Sequence, residues 1–350
     1  MNLRRKNMLA AGIIAGMLLL AAVSAEACSR IVYLGPQDTV LTARSMDWIE
    51  DMKTHLWAFP RGMARDGRVG ARSLRWTSLY GSVIASAYDN STTDGLNEKG
   101  LAANLLWLAE SRYPAWDGKK TGLALSVWTQ YALDNFATVA EAVEAMRREP
   151  FALVTAKAPG VAGLATVHLS VSDATGDSAI FECLGGKLVI SHSRDYQVMT
   201  NSPSYDGQLA LNEYWKQIGG TVMLPGTNRS ADRFARAWFY INAIPKTADL
   251  RIALAGVFSV IRNVSVPYGI STPGQPNISS TRWRTVSDHK NKVYYFESTL
   301  TPNLFWVTLD RLDFSASAPV RKLELRDDRF LAGDTAKLFA PARPFDFLGL

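Results

Sequence analysis

Ser24 to Arg30 reads "SAEACSR": it closes an apolar run and sets one of the chain's two cysteines directly after "AEA". The fold turns on whether Cys28 is a packing residue, half of a disulfide, a lipid anchor or the first residue of a mature chain. The run from Met8 to Ala25 carries no charge and follows Arg4, Arg5 and Lys6. A basic start, an apolar stretch and small Ala25 and Ala27 around Glu26 match a cleaved secretory signal. About 18 apolar residues also just span a bilayer, but this run is rich in Ala and Gly and ends in the cleavage pattern. A lipoprotein signal calls for a large aliphatic residue three positions before the cysteine, where this chain has Ala25. Residues 1–27 are therefore expected to be a signal peptide, the protein periplasmic or secreted, and Cys28 the first mature residue. No stable membrane insertion is expected after cleavage.

The chain has 350 residues, 38 Lys and Arg against 32 Asp and Glu, and a formal net charge of +6. Removing the leader takes away three cations and one acid. The remaining excess is mild and forms no dense basic cluster, so nucleic acid is not an implied partner. With 47% hydrophobic residues the chain can bury a sizeable core, and its length suits one large domain or two small ones. No repeat, low-complexity tract or linker divides it. The second cysteine is Cys183. An exported chain with two cysteines also admits a Cys28–Cys183 disulfide, and with it a non-enzymatic binding protein of the envelope.

The mature chain opens as a hairpin, "SRIVYLG" and "VLTARSMDW" around the turn "PQDT". "SVIASAYD" and "LAANLLWL" follow as strands joined by the polar loop "NSTTDGLNEKG", and "TGLALSVWTQYALDNF" has helical spacing. "TVAEAVEAMRRE" begins with the capping-box pair Thr138 and Glu141. Short alternating runs "ATVHLSVSD", "SAIFECL", "KLVISHS" and "YQVMTNS" predict strands, and "SADRFARAWFYINAI" and "TADLRIALAGVFSVIRNV" predict helices. "TRWRTVSD", "KVYYFES" and "LFWVTLDRL" return to strands. Strand groups interleaved with helix pairs point to two sheets with helices on their outer faces.

The usual hydrolase motifs are missing: there is no G-x-S-x-G elbow, no H-E-x-x-H pair and no C-x-x-C. His168 and His192 fall in strand-like runs, where packing or surface roles explain them. An N-terminal cysteine needs no histidine, because its own α-amino group, with a reference pKa of about 7.7–8.0, accepts the thiol proton at neutral pH. Arg44 and Asp47 lie on the strand that pairs with the one starting at Cys28. Arg44 is placed to favour the thiolate and Asp47 to accept a hydrogen bond from the α-ammonium. The same pair also reads as a solvated ion pair at a strand end.

At this point the sequence resembles the choloylglycine hydrolases, which include penicillin V acylases and bile salt hydrolases. "CSR", "ARSMDW", "DGLNEKGLAANLLWL", "VMTNSPSYDGQLALNEYW", "LPGTNRSADRFARA" and "SSTRWRTVSDHKNKVYYFES" carry the resemblance, in order, from Cys28 to about Phe296. It implies an α+β, four-layer αββα N-terminal nucleophile hydrolase fold with two antiparallel sheets, spanning 28–350 as a single domain. It also implies a linear-amide acylase without metal or organic cofactor. By position, Cys28 would be the nucleophile, Arg44 and Asp47 would tune the thiol and hold the α-amino group, Asn201 would donate its amide to the oxyanion, and Arg233 would support charge at the centre. Without the resemblance Asn201 is a turn residue before Pro203, and Arg233 an exposed helix charge beside Asp232. Trp107 stands where many members have Asn or Tyr, which leaves a backbone N–H as the second oxyanion donor. Trp48 and Trp107 suggest an aromatic floor for an apolar acyl group, and alternatively read as ordinary core tryptophans. The substrate would be a small-molecule amide with an apolar acyl group, penicillin V or an N-acyl-homoserine lactone, with conjugated bile salts as the alternative. In the bile salt hydrolases a longer insertion between the positions of Asn201 and Arg233 helps assemble a homotetramer; the short segment here counts against that assembly, which stays one option.

Overall fold

The chain enters its fold at the cysteine. In the computed structural model, which describes residues 28–350 apart from 160, 162, 271–278, 302, 327 and 328, β1 (Cys28–Leu34) pairs antiparallel with β2 (Val40–Trp48). The register runs from Cys28 opposite Met46 to Leu34 opposite Val40. The expected turn closes it: Gly35 N–H donates to Thr39 O at 2.8 Å, while Gln37 and Asp38 take left-handed φ of 53° and 58°. The expected signal peptide, residues 1–27, lies outside the described residues.

All nine residues of β2 are buried, although the strand contains Arg44, Ser45 and Asp47. The layering explains this. The described residues form a seven-stranded sheet in the order Val198–Met199, β1, β2, Ser280–Asp288, Val293–Ser298, Leu304–Thr308 and Gly333–Asp334. A nine-stranded sheet runs Lys187–His192, Ser178–Leu184, Val167–Ser172, Ala102–Trp107, Ser91–Asn97, Ser82–Ala87, Leu56–Phe59, Arg321–Leu323 and Ala340–Pro341. Helices α1 (Leu125–Asn135) and α2 (Val139–Arg147) pack on the nine-stranded sheet. Of α3 (Tyr205–Ile218), α4 (Ser230–Ala243) and α5 (Leu250–Asn263), the last two pack on the seven-stranded sheet and α3 packs on α4. Two cores result. One, containing Cys28, Met46 and Trp48, lies between the sheets and continues to α4 and α5; the other lies between the nine-stranded sheet and α1 and α2. This is the expected α+β sandwich. Among the described residues no helix is long and apolar enough to cross a membrane.

Three departures from the sequence reading have physical causes. The expected loop "NSTTDGLNEKG" is largely the strand Ser91–Asn97, near the middle of the nine-stranded sheet. Its polar side chains find partners inside: Thr92 Oγ1 donates to Gln130 Oε1 at 3.0 Å, Asp94 accepts from Asn104 Nδ2 at 2.7 Å, and Asn97 Nδ2 donates to Leu133 O at 2.9 Å. Buried polar groups cost little once hydrogen-bonded, so polarity did not mark a loop here. Gly95 is needed because a Cβ there would meet Leu133 at 2.7 Å and Ile84 at 2.8 Å. The helix expected from Thr121 begins only at Leu125, since Gly122–Ala124 pairs in parallel with Ala152–Val154. Thr138 does cap α2, accepting from Glu141 N at 3.2 Å, but the Glu141 carboxylate reaches back to Ala137 N at 2.7 Å, one residue beyond the usual box.

The Cys28–Cys183 disulfide is overturned. Both thiols are free and buried, Cys28 in the inter-sheet core and Cys183 in the core under α1 and α2, on different sheets.

Candidate active site

Strand alternation sorts the site onto two faces of the seven-stranded sheet. Cys28, Arg44, Met46 and Trp48 line a cavity on the side of the nine-stranded sheet. Ser29, Ser45 and Asp47 fall on the alternate face, toward the helices, where Arg233 of α4 donates to Ser29 Oγ at 2.6 Å. The register places Met46 opposite Cys28, so Arg44 sits diagonally across, with its Nη2 3.6 Å from Cys28 Sγ. The same nitrogen is 3.0 Å from Leu105 O and 3.2 Å from Met46 Sδ, and the guanidinium carbon lies 4.6 Å above the centre of the Trp283 ring. Arg44 is wholly buried, and the contacts of Nη2 together with the Trp283 ring hold its position.

Cys28 N–H donates to Asn201 Oδ1 at 2.7 Å. Asn201 Oδ1 also accepts from Arg233 Nη2 at 2.8 Å, and Asn201 Nδ2 donates to Trp107 O at 2.7 Å. With an acceptor demand on one side of the amide and a donor demand on the other, its orientation is determined. Arg233 Nη1 further donates to Cys28 O at 2.6 Å, and its Nε to Asn228 O at 3.0 Å. Arg233 is thus no exposed helix charge: it is buried and clamps the start of β1. Asn201 is likewise buried, its own N–H donating to Ser230 Oγ at 2.8 Å.

Asp47 differs from the expectation that it would hold the Cys28 nitrogen. Alternation turns its carboxyl to the helix face, where it accepts from Thr281 Oγ1 and, at 3.4 Å, from Ser45 Oγ, and Asn201 takes the Cys28 N–H instead. Only the backbone carbonyl of Asp47 approaches the sulfur, at 3.8 Å. Burial pushes the Asp47 carboxyl up to about 6, against the opposing pull of Arg233 and the Thr281 hydroxyl. Burial likewise raises the Cys28 thiol, with Arg44 the strongest opposing influence. Arg233 is lowered by burial and supported in its charge by Asp47.

Trp48 and Trp107 both line the cavity, with ring centres 5.8 Å apart and planes tilted by 58°. Trp48 Nε1 donates to Tyr88 OH at 2.9 Å, which donates in turn to Glu50 at 2.6 Å, so the indole is held at its polar edge. The cavity holds about 820 Å³ of space unoccupied by protein, part of it open to solvent, and its lining is overwhelmingly apolar. An apolar cleft with a sulfur and a guanidinium at one end suits an amide whose acyl part is apolar.

The family model of linear amide C–N hydrolases of the choloylglycine hydrolase family matches residues 28–322. The chain belongs to the choloylglycine hydrolase family. It is 53% identical to a penicillin V acylase of Pectobacterium atrosepticum, over 100% of this chain and 99% of that one. A solved penicillin V acylase from Agrobacterium tumefaciens is 61% identical with a TM-score of 0.87, covering 92% of this chain and 100% of its own. A mutant conjugated bile acid hydrolase from Clostridium perfringens superposes with a TM-score of 0.73 at 21% identity, over 86% of this chain and 97% of its own, which speaks for the fold alone.

Sequence reasoning placed Cys28, Arg44, Asp47, Trp48, Trp107, Asn201 and Arg233 in or beside one site, and these residues do meet there. It missed Met46, Trp283 and Thr281. Met46 was legible, since strand alternation puts it on the face of Arg44 and Trp48. Trp283 and Thr281 come from a strand far along the chain, and nothing local announces them. Of the four histidines, His168 joins Glu182 to Thr200 O, His289 joins Thr42 to Gly100 O, His55 accepts from Leu325 N and His192 pairs with Asp177. Each is engaged elsewhere than at Cys28.

Proposed function

We propose that the protein is an exported acylase that uses Cys28, freed as the N-terminal residue by removal of residues 1–27, to hydrolyse linear amides with an apolar acyl group. Penicillin V and N-acyl-homoserine lactones are the proposed substrates. The observation that carries the reading is the Arg44 guanidinium 3.6 Å from Cys28 Sγ, at one end of an apolar cavity, with the Cys28 nitrogen held at 2.7 Å by Asn201. Kinship to penicillin V acylases supports the phenoxyacetyl group, and the paired indoles of Trp48 and Trp107 support flat or extended acyl groups alike.

In the proposed reaction the α-amino group takes the thiol proton and Arg44 steadies the thiolate. Sγ attacks the amide carbon. Asn201 Nδ2 has two hydrogens; one is given to Trp107 O, and the second stabilises the oxyanion together with a backbone N–H. The tetrahedral adduct breaks its C–N bond, the α-ammonium returns a proton to the leaving amine, and a thioester remains. Water, deprotonated by the same amine, adds to the thioester; the C–S bond breaks and the acid leaves. Arg233 holds both ends of this arrangement, binding Asn201 Oδ1 and Cys28 O.

The test is intact mass and N-terminal peptide mapping of exported protein, before and after thiol alkylation. The expected result is a chain starting at Cys28 whose alkylation abolishes hydrolysis of penicillin V and acyl-homoserine lactones. A start elsewhere, or full activity with Cys28 alkylated, overturns the proposal.

A further inference from the structure

The acyl cavity has a second end. Cys28 and Met46 belong to the inter-sheet core, whereas Leu125 and Phe347 belong to the core between the nine-stranded sheet and α1 and α2. The cavity is lined by Cys28 and Met46 from the first and by Leu125 from the second, so it crosses from one layer to the next. Leu348, from a stretch that follows the last strand of the nine-stranded sheet, also lines it, bonded to Asn90 and to Ser126 of α1, which line it too.

That stretch is tied down as firmly as a strand. Leu348 N donates to Asn90 O at 2.8 Å, and Leu348 O accepts from Ser126 Oγ at 2.6 Å, so both main-chain groups of the residue are fixed. Phe347 O accepts from Arg68 Nε at 3.1 Å, and Leu350 N donates to Arg68 O at 3.1 Å. Phe345 stacks edge-on to Trp57 and Phe59 at 5.2 and 5.7 Å and lies 4.8 Å from Phe347. A side chain whose backbone is pinned on both sides, and whose neighbours are packed aromatics, has a determined position. Leu348 is one of the residues that line the cavity and is half-buried.

We propose that Leu348 is a specificity-determining residue: it forms the end wall of the cavity, and its size sets the longest acyl group accepted. This rests on the acylase reading above. An acyl group that enters with its carbonyl at Cys28 extends past Trp48 and Trp107 toward Leu348, and carbons beyond the available depth have no space. One methylene in such a pocket is worth roughly 10- to 200-fold in kcat/KM. Shortening the wall therefore moves the chain-length optimum, and does so without touching the sulfur, Arg44 or Asn201.

The experiment compares Leu348→Ala and Leu348→Trp with the parent on a graded series of straight-chain N-acyl amides. In parallel, isothermal titration follows binding of the matching free carboxylic acids, which needs no chemistry. The expected result is an optimum moved to longer chains in Leu348→Ala and to shorter ones in Leu348→Trp, in hydrolysis and in binding, with the preference for the longer chain rising about tenfold or more in the alanine variant. Ser126→Ala, which removes one main-chain tie, is expected to flatten the length profile. Variants that scale the whole series by one factor, or leave the optimum in place, overturn the role of Leu348. Failure of the processed parent to hydrolyse any amide in the series overturns the acylase reading instead, and the carboxylic acid titrations still decide whether Leu348 is the wall.

Discussion

Arg44→Met removes one charge from the site and keeps most of the side chain's bulk. Arg44 Nη2 lies 3.6 Å from Cys28 Sγ in a wholly buried setting. With an effective dielectric of about 20, a unit charge at that distance stabilises the thiolate by roughly 4 to 5 kcal/mol, so without it the thiol titrates higher. Because burial already pushes the Cys28 thiol upward, with Arg44 the leading counterweight, the variant starts from a raised value and goes further up. The assay is the pH dependence of alkylation at Cys28, read by peptide mass, with the rate at neutral pH expected to fall by about 10² to 10³. Arg44→Lys keeps the charge but gives up the planar group that lies over the Trp283 ring, so its midpoint should fall between those of the parent and the methionine variant. An Arg44→Met midpoint within about half a pH unit of the parent refutes the electrostatic account of this residue.

Two further outcomes are expected. Asp47→Asn should change how stability depends on pH. Folding raises the Asp47 carboxyl from 3.8 to about 6, so its contribution is fully present below 3.8 and is lost as pH rises through about 6. Urea unfolding between about pH 4 and 7 should therefore show the asparagine variant gaining on the parent as pH rises, by on the order of 3 kcal/mol in all; a constant offset contradicts the assignment. Asn201→Ala should lower kcat by about 10² to 10³ through loss of an oxyanion donor. It should also lower unfolding stability by roughly 1–3 kcal/mol for each buried donor left unpaired, here Cys28 N and Arg233 Nη2. A change confined to KM contradicts the oxyanion role.

What was legible in the sequence was local. The hairpin follows from two β-rich runs and a turn, and its register alone brings Arg44 beside Cys28. The helices α1, α2, α4 and α5 follow from apolar spacing. Asp47 shows the limit of reading proximity without direction: it is next to the right residues in sequence, yet its carboxyl faces the other side of the sheet. Asn201 and Arg233 stand 173 and 205 residues from Cys28, and their meeting depends on a sheet edge and a docked helix that no local pattern specifies. Only the family resemblance pointed to them. The strand Ser91–Asn97 was hidden because its polar groups are answered by α1 and by neighbouring strands, a satisfaction visible only in three dimensions. Leu348 was hidden for the opposite reason, since an isolated leucine in an irregular stretch says nothing of the cavity it closes.

The order of the seven-stranded sheet has a consequence in time. β1 is flanked by β2 and Val198–Met199, and β2 by β1 and Ser280–Asp288. The hairpin that bears Cys28 is thus the first described element to be synthesised, and both of its edges wait for strands made much later. Contacts this distant in sequence slow folding and leave unpaired edges open to wrong partners meanwhile. The surroundings of Cys28 are accordingly complete only when the chain is nearly whole: Arg44 and Asp47 come with the hairpin, while Asn201 and Arg233 follow 173 and 205 residues after Cys28.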